Sequence, residues 1–144
     1  MIYTAMTKRA LKLSFEAHKD QVDKTGVPYV FHPFHVAEQM KDEATTIVAL
    51  LHDVVEDTDY TLEDIAAEGF GQEIVEAVAL MTHEDDVPYL DYVAKLKDNP
   101  IAKAVKLADL AHNSDPSRLG EIDDETKQRL EKYKKAIALL ESNG

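Results

Sequence analysis

The chain contains no cysteine. That single absence excludes a disulfide scaffold, a zinc ribbon and a thiol nucleophile. Basic side chains are also in deficit, 16 Lys and Arg against 28 Asp and Glu, for a formal net charge of −12. A protein that grips DNA or RNA through its phosphates needs the opposite excess, so no nucleic-acid partner is expected. An anionic membrane surface is disfavoured for the same reason. No apolar run approaches the roughly 20 residues of a membrane span. The start, Met1-Ile2-Tyr3-Thr4, lacks the basic stretch and apolar core of a secretory signal. No internal repeat, low-complexity segment or linker interrupts the 144 residues, of which only five are Gly and five Pro. What is there is a 44% apolar content, enough for one core. The expectation is one acidic, cytoplasmic domain over 1–144, with homo-oligomerisation left open.

Helical periodicity fills the sequence. Apolar residues recurring every three or four positions predict helices over about 4–19, 33–41, 45–56, 61–69, 71–82, 86–97, 99–113 and 123–142. Thr61-Leu62-Glu63-Asp64 has the form of a capping box, Asn99-Pro100 that of an N-cap followed by proline, and Asp123 that of a cap for the last helix. Ile47-Val48-Ala49-Leu50-Leu51 and Val54-Val55 make one segment apolar on most sides, which belongs at the centre of the core. Tyr29-Val30-Phe31 alone looks extended. The class is therefore all-α, a compact domain of seven or eight helices.

The central segment ends in polar residues, Leu51-His52-Asp53-Val54-Val55-Glu56-Asp57. Helical spacing places His52 with Glu56 and Asp53 with Asp57 on neighbouring stripes. Such a set beside so apolar a run is costly unless paired. A divalent cation on His52 and Asp53 would compensate it, and imidazole with carboxylate suits Mn, Fe, Zn or Ni. His32, in Phe31-His32-Pro33, and Asp109, late in Val105-Lys106-Leu107-Ala108-Asp109, are the further candidate ligands. Each has a plainer alternative. Asp53, Glu56 and Asp57 could be a solvated helix end, although acids there oppose the helix dipole. His32 could be an entry-loop histidine, and Asp109 a buried carboxylate bonded to backbone amides. His18, His35, His83 and His112 read as structural.

In this order, His32, His52-Asp53 and Asp109 resemble the HD superfamily of metal-dependent phosphohydrolases. Ala17-His18-Lys19-Asp20-Gln21 with Thr25-Gly26-Val27-Pro28-Tyr29-Val30-Phe31-His32-Pro33 is similar to the first hydrolase motif of its RelA/SpoT branch. Leu50 to Thr58, Phe70-Gly71 and Val105 to Asn113 are similar to the later ones, so the motifs fall within 17–113. The likeness is to a stand-alone small alarmone hydrolase. It implies a helical HD-domain fold and one divalent metal ion, most often Mn²⁺, held by His32, His52, Asp53 and Asp109. The implied reaction is hydrolytic removal of the 3′-pyrophosphate of (p)ppGpp, a small-molecule nucleotide. By the same resemblance Glu56 and Asp57 position and deprotonate the attacking water, Asn113 faces the substrate, and Lys24, Thr25 and Gly26 form the nucleotide-facing loop. Two departures remove positive charge: Asp23 precedes Lys24 and Leu110 follows Asp109, where the family usually has basic residues. The alternatives these departures raise are another phosphorylated nucleotide or nucleotide cofactor as substrate, and a non-catalytic nucleotide-binding regulatory module. Of the local cations Lys24, Lys103, Lys106 and Arg118, Lys106 and Arg118 are expected to neutralise most of the substrate phosphate.

Overall fold

The structure, a computed structural model, describes residues 1–142. α1 (Ala5–His18) opens on a capping box between Thr4 and Thr7, and buries Thr7, Ala10, Leu13, Ser14 and His18, a stripe at helical spacing. α2 (Phe31–Glu38) follows a loop closed by an isolated antiparallel bridge between Val22 and Pro28. α3 (Glu43–Leu51) is capped by the Asp42 carboxylate, which accepts from Thr45 N, and every residue from Thr45 to Leu51 is buried. α4 (Val54–Asp57) is one turn long. α5 (Leu62–Ala67) and α6 (Gln72–Met81) pack on each other, and α6 packs on α3. α7 (Tyr89–Leu96), α8 (Pro100–Asn113) and α9 (Asp124–Glu141) complete the chain.

The helix apolar all round lies at the centre, as its composition requires. α3 packs against α1, α2, α6 and α8, while α9 closes over α7 and α8. The core they share is aliphatic, with Leu50, Leu51, Ile65, Leu96, Leu110 and Leu140 all but fully buried. His18, His32, His52 and Asp109 are the buried histidine and acidic side chains among the described residues. No helix among those residues is long and apolar enough to cross a membrane.

The three anticipated caps are made. Thr61 and Asp64 bond reciprocally, Asn99 accepts from Ala102 N, and Asp123 accepts from Thr126 N. Three details differ from the sequence reading. Nine helices are present among the described residues, because the segment expected over 45–56 is interrupted at His52-Asp53. Tyr29-Val30-Phe31 is not extended. Phe31 N and His32 N donate to Pro28 O and Tyr29 O, so the chain turns directly into α2. Pro33 still sits in the first turn of that helix, where an N–H has no intrahelical partner to lose. α7 begins at Tyr89 rather than 86, because Val87 N closes a turn on Glu84 O before Pro88 starts the helix.

Leu50 lies in the middle of this arrangement with 1% exposure. Leu50→Ala removes its contacts without room for collapse, and is expected to cost about 2–5 kcal/mol. Urea unfolding followed by circular dichroism measures it.

Candidate metal centre

The interruption of α3 builds the site. His52 keeps helical backbone angles, φ −60° and ψ −27°, and Asp53 departs to φ −104° and ψ −1°. Helical bonding resumes at once, with Asp57 N donating to Asp53 O at 2.9 Å. The end of the buried helix thus presents His52 and Asp53 side by side. α2 brings His32 from its first turn, and α8 brings Asp109 from one turn before its end. Donor atoms of His32, His52, Asp53 and Asp109 all lie within 4.8 Å of one another.

The hydrogen bonds fix what this cluster lacks. His52 Nδ1 lies 2.6 Å from Ala49 O. A carbonyl can only accept, so Nδ1 carries the proton, and Nε2 of the neutral ring is a lone pair. That lone pair faces Asp53 Oδ2 at 3.1 Å and Asp109 Oδ1 at 3.4 Å. His32 Nε2 lies 2.7 Å from Asp109 Oδ1 and 4.0 Å from Asp53 Oδ2. Lone pairs and anionic oxygens converge on one buried point, an arrangement that demands a proton or a cation there. Burial alone would lower the His52 pKa, but Asp53 and Asp109 outweigh it and raise it well above 6.5. Burial likewise works to raise Asp53, and His52 prevails and brings it down to about 2. Against burial, Lys106 first and then His32 and His52 hold Asp109 well below the usual carboxylate range.

A second layer of bonds orients the four side chains. The Tyr29 hydroxyl donates to Asp53 Oδ2. Lys106 Nζ donates to Asp109 Oδ2 at 2.9 Å while lying 5.3 Å from the centre of the Tyr92 ring. Asn113 Nδ2 donates to Asp109 Oδ1 at 3.2 Å. Asp109 is thus held by side chains, not by the backbone amides of its plainer reading. His32 Nδ1 lies 2.7 Å from His112 Nδ1, and the two rings stack with centres 5.0 Å apart. His35 stacks on His112 at 4.0 Å. Burial, aided by Arg118, His32 and His35, lowers His112 to about 4, so it is neutral and can accept from His32 Nδ1. That tautomer leaves His32 Nε2 free to bind a metal.

Glu56 and Asp57 stand beside this cluster, more exposed than the four. Carboxylate oxygens of Asp53, Glu56 and Asp57 lie within 4.8 Å of one another. Glu56 Oε1 is pinned by His83 N at 2.6 Å. Partial burial raises the Glu56 pKa. Burial, then Asp53 and Glu56, push Asp57 up to about 6. Gln21 Nε2 donates to Asp57 O at 2.9 Å and so ties the loop after α1 to this turn.

A cleft of about 530 Å³ runs from Tyr29 and Asn113 along the loop after α1, and includes Lys24, Thr25, Arg118 and Arg129. Gly26 turns the same loop at φ 88°, where a side chain would be strained. Lys106 does not line this cleft, since its ammonium lies on Asp109. The sequence reading gave no role to Tyr29 or Arg129 and took His112 as structural. A phenol three residues before His32 and an imidazole three after Asp109 carried a helical-spacing signal. Arg129, far along the chain on α9, carried none.

Comparison with known proteins agrees with this geometry. The family model described as HD domain matches residues 10–135. A guanosine-3′,5′-bis(diphosphate) 3′-pyrophosphohydrolase of Aquifex aeolicus (strain VF5) is 41% identical over 86 residues, covering 57% of this chain and 12% of that protein. The mouse (Mus musculus) protein MESH1, also named as such a pyrophosphohydrolase, is 39% identical over 114 residues, 69% of this chain and 63% of its own length. The bifunctional (p)ppGpp synthase/hydrolase SpoT of Escherichia coli (strain K12) is 30% identical over 139 residues, 85% of this chain and 19% of SpoT. The first curated relatives are much longer proteins, of which the chain spans 12% and 15%. A solved structure described as a metazoan orthologue of SpoT that hydrolyses ppGpp superposes with a TM-score of 0.78 at 25% identity, covering 100% of this chain and 90% of that one.

The charge demand of the cluster sets a pH dependence for chelator-treated protein. The raised His52 pKa stabilises the fold fully below 6.5 and is lost as pH climbs through the raised value. Asp57, raised to about 6, acts in the same sense from 3.8 upward. Asp53 and Asp109 act oppositely, and their contribution fades only as pH falls below 3.8. Thermal melts are therefore expected to show stability falling as pH rises above 6.5, with the fall removed by added Mn²⁺ and absent in His52→Gln.

Proposed function

The chain belongs to the HD domain family, and we propose that it is a metal-dependent pyrophosphohydrolase that removes the 3′-pyrophosphate of (p)ppGpp. The single observation that carries this reading is the buried convergence of His32, His52, Asp53 and Asp109, with their second nitrogens already committed elsewhere, beside a free carboxylate. These four side chains fit one divalent ion: two neutral imidazoles and two carboxylates make a nearly neutral centre. Mn²⁺ is the ion we assign, in a cytoplasmic setting.

A bound divalent ion supplies charge screening of a phosphoryl oxygen and a lowered pKa for water. The protein's own groups do the rest. Tyr29, Lys106, Asn113, His112 and the Ala49 carbonyl hold the four ligands in register. Asp57, whose carboxylate takes no hydrogen bond among the described residues, is placed to accept the proton of the attacking water. Glu56, anchored on His83 N, orients that water. Lys24, Thr25, Asn113 and Arg118, joined by Arg129, bind the nucleotide along the cleft, and Gly26 shapes its loop. Lys106 contributes its charge through Asp109. Water adds to phosphorus, the bond to the 3′ oxygen breaks, and GDP or GTP leaves with pyrophosphate.

Incubating Mn²⁺-loaded protein with ppGpp and a nucleotide panel tests this directly. Pyrophosphate release from ppGpp is expected, with Asp53→Ala as the blank. Asp57→Asn and Glu56→Gln should each lower kcat by about 10²–10⁴-fold. Inertness toward ppGpp with turnover of another nucleotide would replace the substrate, and binding without Mn-dependent turnover would make the chain a regulatory module.

A further inference from the structure

The loop before α2 is organised by one carboxylate. Asp23 Oδ1 accepts from Thr25 N and Thr25 Oγ1, both at 2.8 Å, and from Val27 N at 3.0 Å. These bonds consume one oxygen. The other, Oδ2, lies 4.0 Å from Arg118 Nη2. Arg118 comes from the opposite wall, anchored by Nη1 donating to His112 O at 2.8 Å. Its own loop is held by Asp115 Oδ1, which accepts from Ser117 N and Ser117 Oγ. With side chains 24% and 26% exposed, Asp23 and Arg118 stand where the cleft meets a neighbouring cavity of about 540 Å³.

The pair changes the charge the cleft offers. Its wall carries three cations, Lys24, Arg118 and Arg129, against three carboxylates, Asp23, Glu121 and Asp123. Burial works to raise the Asp23 pKa, but the Thr25 and Val27 bonds and Arg118 lower it, so it stays ionised at neutral pH. A nucleotide whose 3′ end is at the metal centre has its 5′-phosphates as its only other charge, and this cleft, which includes Tyr29 and Asn113, offers them Lys24, Arg118 and Arg129. We propose that Asp23 is a specificity-determining residue, which offsets the charge of Arg118 and makes the cleft favour guanosine tetraphosphate over the pentaphosphate. This rests on the pyrophosphohydrolase reading above. It also gives a physical role to a residue where the family usually has a base: the acid both builds the loop and sets its charge.

The probes are GDP and GTP, the two products that differ by the phosphate in question, titrated calorimetrically into the protein as purified. Asp23→Asn keeps an oxygen acceptor for the loop and removes the charge. It is expected to raise the ratio of GTP to GDP affinity about five-fold, the scale of one unit charge at a partly screened surface. Asp23→Ser, a second uncharged acceptor, should do the same. The KM for the pentaphosphate should fall relative to that for the tetraphosphate, with the change in KM rather than kcat. In an Arg118→Gln background the gain should shrink below about two-fold, since little is then left to offset. An unmoved ratio in both uncharged variants, or a gain of undiminished size without Arg118, overturns the proposal. Wild-type inertness toward both alarmones overturns the functional reading instead, and leaves the GTP to GDP ratio to decide the role of Asp23.

Discussion

The structure depends on a mismatch at one nitrogen. His52 Nε2 points a lone pair at Asp53 Oδ2 and Asp109 Oδ1 because its Nδ1 proton is already given to Ala49 O. In water such a ring would rotate or exchange its proton. Here it is 2% exposed at the end of a helix buried along most of its length, and it can do neither without breaking packing. Bringing two carboxylates into such a place costs several kcal/mol each unless positive charge meets them. Lys106 meets one oxygen of Asp109. The remaining demand falls at the point where the four donors converge. A proton on His52 satisfies it poorly, because one proton cannot sit between four groups; a divalent ion satisfies all of them at once.

That constraint explains features of the fold that packing alone would not require. A helix as apolar as α3 could run on through residue 57, and the apolar Val54-Val55 would support it. Instead the backbone shifts at Asp53, which sets its carboxylate beside the His52 ring and turns Glu56 and Asp57 toward the same opening. α2 and α8 pack on α3 and on each other, and each delivers a single ligand. The site is therefore held by three helices, α2, α3 and α8, each packed on the other two, and its geometry is as rigid as the core. The groups proposed to contact substrate sit instead on the loops after α1 and α8, at the last residue of α8 and on the outer helix α9, where adjustment is cheap.

What could be read in the sequence follows from the range of each interaction. The caps at Thr61, Asn99 and Asp123 are made within three residues, so their pattern is complete locally. The central position of α3 follows from its composition. The four converging side chains were legible because each is a polar residue embedded in apolar sequence, a cost that demands a partner. The break at His52-Asp53 was not, since nothing in the apolar pattern on either side distinguishes a continuous helix from a shifted one. The stack of His32, His112 and His35 joins residues 80 apart in the chain and exists only after α2 meets α8. Lys106 illustrates the same limit. Its spacing of three from Asp109 showed that they share a face, and could not show that the ammonium turns inward to the carboxylate rather than outward to solvent.

The overall charge of −12 poses a problem that the site answers only locally. Under the proposed function, a polyanionic nucleotide approaching the molecule meets a repulsive field, and the cations along the cleft are matched in number by carboxylates. Attraction must then come from the short range, where hydrogen-bond geometry and a metal ion outweigh net charge. The binding energy is thereby concentrated at the reacting end of the substrate. This suits catalysis, because contacts at the phosphorus under attack strengthen as charge develops there, while contacts to remote phosphates hold substrate and transition state equally. A cleft poor in net positive charge gives up affinity for phosphates in general and leaves it concentrated at the bond that the proposed reaction breaks.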